Sequence, residues 1–320
     1  MKLATYVRRG GQSFGVVADG GIIDVPAAWP DGPASLLDAL GAGQTAMARI
    51  GEIAEAGGGN GAAEKIPLVD VRLRAPLPQP PKLLGLAVNY AEHHREIDRG
   101  HDLPAQPRRD TTPRPFLMPA TAVADPGAEI PWCDFSRDID HEIELAVVIG
   151  RETRRVSPAE AADCIAGYTI ANDISARSVT HAAGRARRPK DDFFDWLHGK
   201  WADGFCPLGP WLVTADEVGD PQQLDLELTV DGEVRQQSNT RHMIFSVQEL
   251  VSFCSHLMTL TPGDVIATGT PSGVGQATGK LLKPGQTITC RIEKIGELTN
   301  TLGSPPEKFY QPCGGDGGGQ

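Results

Sequence analysis

Residues 140–149 read Asp-His-Glu-Ile-Glu-Leu-Ala-Val-Val-Ile, so two carboxylates two residues apart run straight into an apolar segment. Side chains alternate between the faces of a strand, which puts Glu142 and Glu144 on one face while Ile143 and Leu145 turn to apolar packing. Like charges on one face repel, and carrying them toward a core is costly unless a cation lies between them or protonation removes a charge. A hard divalent cation meets that need; on this segment alone, a solvated edge-strand face is the alternative. The chain has to build a sheet around this strand, and what the carboxylates face decides the chemistry of the sheet.

Four other segments carry chemistry. Asp173, in Ala171-Asn-Asp-Ile-Ser-Ala-Arg177, follows the β-rich Gly167-Tyr-Thr-Ile170. At a strand end it can add a third oxygen, and an all-carboxylate site favours Mg²⁺ or Mn²⁺ over zinc; Asn-Asp is also common in turns. His93 and Glu96 are i,i+3 neighbours on a helical turn, where the carboxylate can orient the imidazole as a general base, although a charged surface helix has the same pattern. Phe193, Phe194, Trp196, Trp201 and Phe205 flank Lys200 in a chain with only 6% aromatic residues, so the lysine either supplies a cation to an anionic substrate or snorkels from a core. The glycine-rich Ala267–Gly275 stretch is not a phosphate loop, because Val274 stands where Walker A needs glycine before Gly279-Lys280, and Leu281 replaces the Ser/Thr ligand. Ser272 lacks the frame of a nucleophile elbow. A turn presenting backbone N–H groups and the Thr270 hydroxyl to a carboxylate is the better reading. Arg185, Arg187, Arg188 and Lys190 read as a solvated loop.

The 320 residues include 37 Gly and 26 Pro, which favours many short strands joined by turns. Net charge is −11, so the average field repels nucleic acid and anionic lipid, and neither is expected as a partner. The run Ile143–Ile149 is far shorter than the roughly 20 residues that span a bilayer. The start, Met1 to Arg9, has no apolar leader region, which makes the cytoplasm the expected location. Cysteines 133, 164, 206, 254, 290 and 313 are scattered, with no metal or dithiol spacing. Residues 1–75 read as a small N-terminal α+β domain with a helix over about 34–56, broken by Gly57-Gly-Gly-Asn-Gly. Pro76–Pro81 is a stiff connector. Beyond it, helices are expected from Ser157 to about Ala166, opened by a capping box, and from Val247 to Leu260, with a hairpin at Asp231-Gly232. The tail, 304–320, is glycine-rich and expected to be flexible.

Taken in order, Gly85–Glu96, Pro115–Pro119, Asp140–Gly150, Gly167–Arg177, Asn239–Phe245 and Gly263–Gly275 resemble the fumarylacetoacetate hydrolase superfamily over about 82–303. The resemblance implies an α+β, mainly β fold, a mixed β-sandwich roll with short helices, and a homodimer. It implies that Glu142, Glu144 and Asp173 bind Mg²⁺ or Mn²⁺, that His93 and Glu96 form a catalytic dyad on a lid, and that Lys200 and Thr270 bind substrate. Leu86 stands where larger members have a further acidic ligand. Relatives often carry Gln at the substrate-contacting position held here by Thr180, and Ser178 and the basic Arg241-His242 also depart from the usual pattern. The implied activity is hydrolysis of a C–C bond in an acylpyruvate-like β-diketo acid, a small anionic 2-oxo acid of the fumarylpyruvate or fumarylacetoacetate class. A decarboxylase or an isomerase or tautomerase of 2-oxo acids is the alternative on the same scaffold, and a non-catalytic binding module is a further one.

Overall fold

The computed structural model describes residues 1–57, 65–97, 104–179, 186 and 188–310. Thr180, Arg185, Arg187, Cys313, residues 58–61 of the glycine run and the tail from 311 lie outside them. The fold is mixed α+β and rich in strand. Among the described residues a twelve-stranded sheet runs Lys65–Pro67, Gly21–Asp24, Gly11–Ala18, Lys2–Arg8, Cys206–Thr214, Ile165–Asn172, Ile143–Ile149, Val265–Ala267, Leu83–Leu86, Pro115–Met118, with two short strands attached to its side. A five-stranded sheet, ordered Glu233–Asn239, Asp225–Val230, Thr287–Ile292, Gly296–Leu302, Glu129–Ile130, packs against it.

All seven residues of Ile143–Ile149 are buried, because the strand lies in the middle of the larger sheet and is covered on both faces. The period of two is visible in the packing. Ile143, Leu145, Val147 and Ile149 join the core between the two sheets, while Ala146 and Val148 join a second core with Leu3, Phe14, Leu36 and Ile50. Glu142 and Glu144 share the parity of the second set. The solvated-edge alternative therefore does not apply to this strand.

The N-terminal segment is not set apart in space. Lys2 and Leu3 pair with Val213 and Leu212, so residues before the proline connector extend the same sheet as those after it. Proline and glycine mark where the chain bends, whereas the partner of an edge strand is fixed by contacts far away in sequence. The helix expected over 34–56 is two helices, Leu36–Gly41 and Gln44–Gly57, separated where Gly43 takes φ 81°. The Ser157 capping box forms, but the helix it opens is one turn, Pro158–Ala161, followed by a 3₁₀ turn to Cys164. Val247–Leu257 ends earlier than expected because Met258 is extended and Leu260 bridges to Thr153. The Asp231-Gly232 hairpin forms with φ of 50° and 81°, the values of a type I′ turn. Cys133, Cys164, Cys206, Cys254 and Cys290 are free and buried. No helix among the described residues is long and apolar enough to cross a membrane.

The sheet closes tightly at Gly167, where an added Cβ would lie 2.1 Å from the Val213 carbonyl oxygen. Gly167→Ala should lower stability by about 1–3 kcal/mol, since two central strands must part to admit a methyl group. Gly41, helical with nothing within 4 Å of such a Cβ, should show the opposite sign, Gly41→Ala raising stability by about 0.5–1 kcal/mol. Urea denaturation midpoints of the two variants check both, and equal midpoints would contradict the packing described.

Candidate active site

Strand register assembles the carboxylates. Ile143 pairs with Asn172 and Glu144 with Ala171, and the Asp173 amide donates to the Glu142 carbonyl at 2.9 Å, so Asp173 emerges beside the Glu142–Glu144 face. One carboxylate oxygen from each of Glu142, Glu144 and Asp173 lies within 4.8 Å of the others, and all three residues are buried.

Two cations stand against this cluster. Lys200 Nζ donates to Glu142 Oε2 at 2.8 Å and to Asp173 Oδ2 at 2.7 Å, and its side chain is 2% exposed. Arg177 donates through Nη2 to Glu142 Oε1 at 2.5 Å and through Nε to Asp140 Oδ2 at 2.9 Å. Burial pushes the Glu142 carboxyl up, but Lys200, Arg177 and His93 outweigh it and hold the group down to about 2. Burial and the neighbouring Glu142 raise Asp173 to about 6 in spite of Lys200. Glu144 is raised well above the usual range by burial and by repulsion from Asp173 and Glu142.

Four carboxylates, Asp140, Glu142, Glu144 and Asp173, stand against Lys200 and Arg177; with all four ionised two negative charges are left over, which one divalent cation would cancel and which without it keep Glu144 and Asp173 hard to ionise. Asp173 Oδ1 is buried without a hydrogen-bond partner among the described residues, which is costly for a carboxylate oxygen unless a ligand meets it. All-oxygen donors of this charge suit Mg²⁺ or Mn²⁺, so the residues present fit such an ion.

The expected dyad forms on the helix Ala91–Ile97. His93 Nδ1 lies 2.8 Å from Glu96 Oε1, and both Glu96 oxygens accept from the Gly273 amide, at 3.1 and 2.9 Å. Because a carboxylate only accepts, Nδ1 carries the proton and Nε2 is the basic nitrogen. The helix is anchored through Asn89, whose side chain donates to the carbonyls of Phe245 and Thr268 and accepts from the Phe245 amide. Val88 precedes it at φ 58°, a left-handed conformation that costs a β-branched residue about 1–3 kcal/mol and is stored beside the site.

His93, Glu142, Asp173, Lys200, Thr270, Arg177 and Trp196 line one cavity of about 100 Å³. Lys200 commits two of its three N–H donors to carboxylates, leaving one for a ligand. The aromatic group around it is looser than its sequence spacing implies. Trp196 lines the cavity and Phe205 is buried, while Phe193, Phe194 and Trp201 are exposed.

Thr270 lines the cavity too, but its hydroxyl donates to the Ile143 carbonyl at 2.8 Å and accepts from Gln236 Nε2 at 2.8 Å. Its proton is engaged within the protein, so it offers a ligand an acceptor. Glu144 receives the loop's Gly269 amide at 2.7 Å.

Sequence reasoning passed over three residues here. Asp140 and Arg177 stood inside the motifs without a role. Gln236, on the second sheet, is fully buried and bonded to His141, Ile143, Thr270 and Pro271. Nothing in a single sequence distinguishes that glutamine from its neighbour Gln237, which is exposed.

Comparison with known proteins places the chain among relatives of known description. Residues 82–303 match the domain described as fumarylacetoacetate (FAA) hydrolase, C-terminal. A mitochondrial oxaloacetate tautomerase of Bos taurus is 36% identical over 288 residues, 88% of this chain and 84% of that protein. The crystal structure of maleylpyruvate hydrolase from Sphingobium sp. SYK-6, in complex with manganese(II) ion and pyruvate, is 31% identical with a TM-score of 0.73, covering 96% of this chain and 100% of that one. A 5-carboxymethyl-2-hydroxymuconate delta-isomerase from Mycobacterium smegmatis is 33% identical with a TM-score of 0.71, again covering 96% and 100%.

Glu144→Gln tests the carboxylate cluster. Changes around a metal's ligands alone weaken affinity roughly 10–100-fold, so loss of a ligand charge should weaken Mn²⁺ binding by at least as much. The thermal midpoint should hold or rise, because repulsion from Glu142 and Asp173 is relieved. Calorimetry giving wild-type affinity would remove Glu144 from the metal set.

Proposed function

The chain belongs to the fumarylacetoacetate hydrolase family, and on that premise we propose that it is a divalent-metal-dependent enzyme hydrolysing a C–C bond in a small acylpyruvate-like β-diketo acid. The observation that carries this reading is the His93–Glu96 pair lining the same small cavity as Glu142, Asp173 and Lys200. Glu142, Glu144 and Asp173 would hold Mg²⁺ or Mn²⁺, which when bound supplies Lewis-acid polarisation of the 2-oxo acid.

The side chains do the rest. His93 Nε2 takes a proton from water as the water oxygen adds to the distal carbonyl, and Glu96 stabilises the imidazolium that results. The remaining N–H of Lys200 stabilises the oxyanion. The C–C bond then breaks, its electron pair passing to the pyruvate fragment, which takes up a proton; the other fragment leaves as a carboxylic acid. Arg177 keeps Glu142 ionised throughout. Thr180, where relatives often carry Gln, is a residue we assign to substrate binding by that resemblance, and Thr270 offers the substrate a hydrogen-bond acceptor.

A second reading is favoured by the cavity's size. About 100 Å³ is well below the roughly 300–1,000 Å³ of sites for drug-sized ligands and suits a short diacid. Two similar proteins bear tautomerase and isomerase names. In that reaction His93 moves a proton from carbon to oxygen of a 2-oxo acid and no C–C bond breaks.

Mass spectrometry of reactions with short acylpyruvates and with oxaloacetate, run with Mn²⁺, decides between them. Hydrolysis yields two shorter acids that together carry one added water; tautomerisation leaves the mass unchanged and is followed instead by the change in enol ultraviolet absorbance. His93→Ala should lose roughly 10²–10⁴-fold in kcat under either reading while keeping its Mn²⁺ affinity, since the carboxylates are untouched. Failure of every such compound to react with wild-type enzyme would sink both.

A further inference from the structure

We propose that Asp140 is a positioning residue that fixes the His93–Glu96 dyad relative to the Glu142–Glu144–Asp173 cluster. The proposal rests on the reading above for its catalytic consequence, and on geometry alone for its mechanical one.

Asp140 is fully buried and lies outside the cavity lining. Its two oxygens accept from four N–H donors at three places in the chain. Oδ1 accepts from the His141 amide at 2.9 Å and the Gly275 amide at 2.6 Å, and Oδ2 accepts from the Gln276 amide at 2.9 Å and from Arg177 Nε at 2.9 Å. On one side, therefore, Asp140 orients the guanidinium that grips Glu142 Oε1. On the other it holds the first two amides of the one-turn helix Gly275–Thr278, and the amide of Gly273, in the loop that leads into this helix, is the backbone donor to both oxygens of Glu96. Base and ligands sit on a helix and a strand that are distant in sequence, and this one carboxylate is tied to both. Gly275 has no room for a side chain, since an added Cβ would lie 2.6 Å from Asp140 Oδ1.

Asparagine at this position cannot serve. Both oxygens accept from N–H donors, so an amide NH₂ in either orientation would face a donor instead of an acceptor. The loop should loosen at Gly275 and Gln276, and Gly273 should loosen with it although Asp140 does not touch Gly273. Misplacement of a reacting group by about 1 Å costs on the order of 10²-fold in rate, and it should fall on kcat and leave KM nearly unchanged.

The test compares Mn²⁺-loaded wild type and Asp140→Asn by amide hydrogen exchange. Exchange at Gly273, Gly275 and Gln276 should rise by at least about tenfold, with the strand Thr287–Ile292 as protected as in wild type. Unchanged protection at Gly273 overturns the proposal. Should Asp140→Asn fail to fold, Gly275→Ala displaces the loop from Asp140 while keeping the charge, and the same exchange pattern is expected. With a turned-over substrate in hand, a double-mutant cycle adds a kinetic readout: Asp140→Asn should cost less in a Glu96→Gln background than in the wild type, because the part of its effect that passes through Glu96 is already lost there. Losses that multiply overturn the proposal. If wild type turns over no 2-oxo acid, the functional reading fails, and hydrogen exchange alone decides the positioning.

Discussion

Three carboxylates are buried at the heart of this fold, and much of the surrounding structure can be understood as what keeps them there. An isolated buried carboxylate loses several kcal/mol of hydration, and removing its partner leaves that loss uncompensated. Here the compensation is distributed. Lys200 bridges Glu142 and Asp173, Arg177 takes the second oxygen of Glu142, and the Gly269 amide meets Glu144. The charge left over suits a divalent ion. A cluster so strongly set against its own burial is better explained by a ligand than by stability, because apolar residues of the same volume would pack there at lower cost.

The loop from Thr268 to Gln276 carries the second half of the design. Its backbone amides serve Glu144, Glu96 and Asp140 in turn, and its Thr270 hydroxyl is fastened to the Ile143 carbonyl. Gln236 closes the arrangement from the smaller sheet, donating to this loop and accepting from the strand that bears the glutamates. Rigid donors of this kind hold a site without relying on long flexible side chains, which lose rotamer entropy when ordered. The strained Val88 and the anchored Asn89 bring the dyad helix to the same loop from the opposite side.

Some of this was legible in the chain alone, for reasons that are local. The period of two in Asp140–Ile149 specifies a strand with both glutamates on one face whatever surrounds it. The three-residue spacing of His93 and Glu96 specifies a hydrogen-bonded pair on one helical turn, and Asp231-Gly232 specifies a tight hairpin because both residues tolerate positive φ. Charges adjacent in sequence declared a need for a cation, Asp173 and Lys200 were candidates within their own segments, and family resemblance chose between those readings and their bland alternatives.

What only the tertiary structure decided are the relations between distant segments. Whether Ile143–Ile149 lies at an edge or in the middle depends on Val265–Ala267 and Ile165–Asn172 flanking it, and that residues 1–75 continue the same sheet depends on Lys2 meeting Val213. The roles of Asp140, Arg177 and Gln236 arise from hydrogen bonds spanning 34 to 135 residues of chain. The partner of the Thr270 proton is set in the same way, since its acceptor is a carbonyl 127 residues away. Periodicity and spacing fix how a side chain faces within its own element. Which group it then meets is set by packing, where burial forces each polar atom to find a partner wherever the fold has placed one.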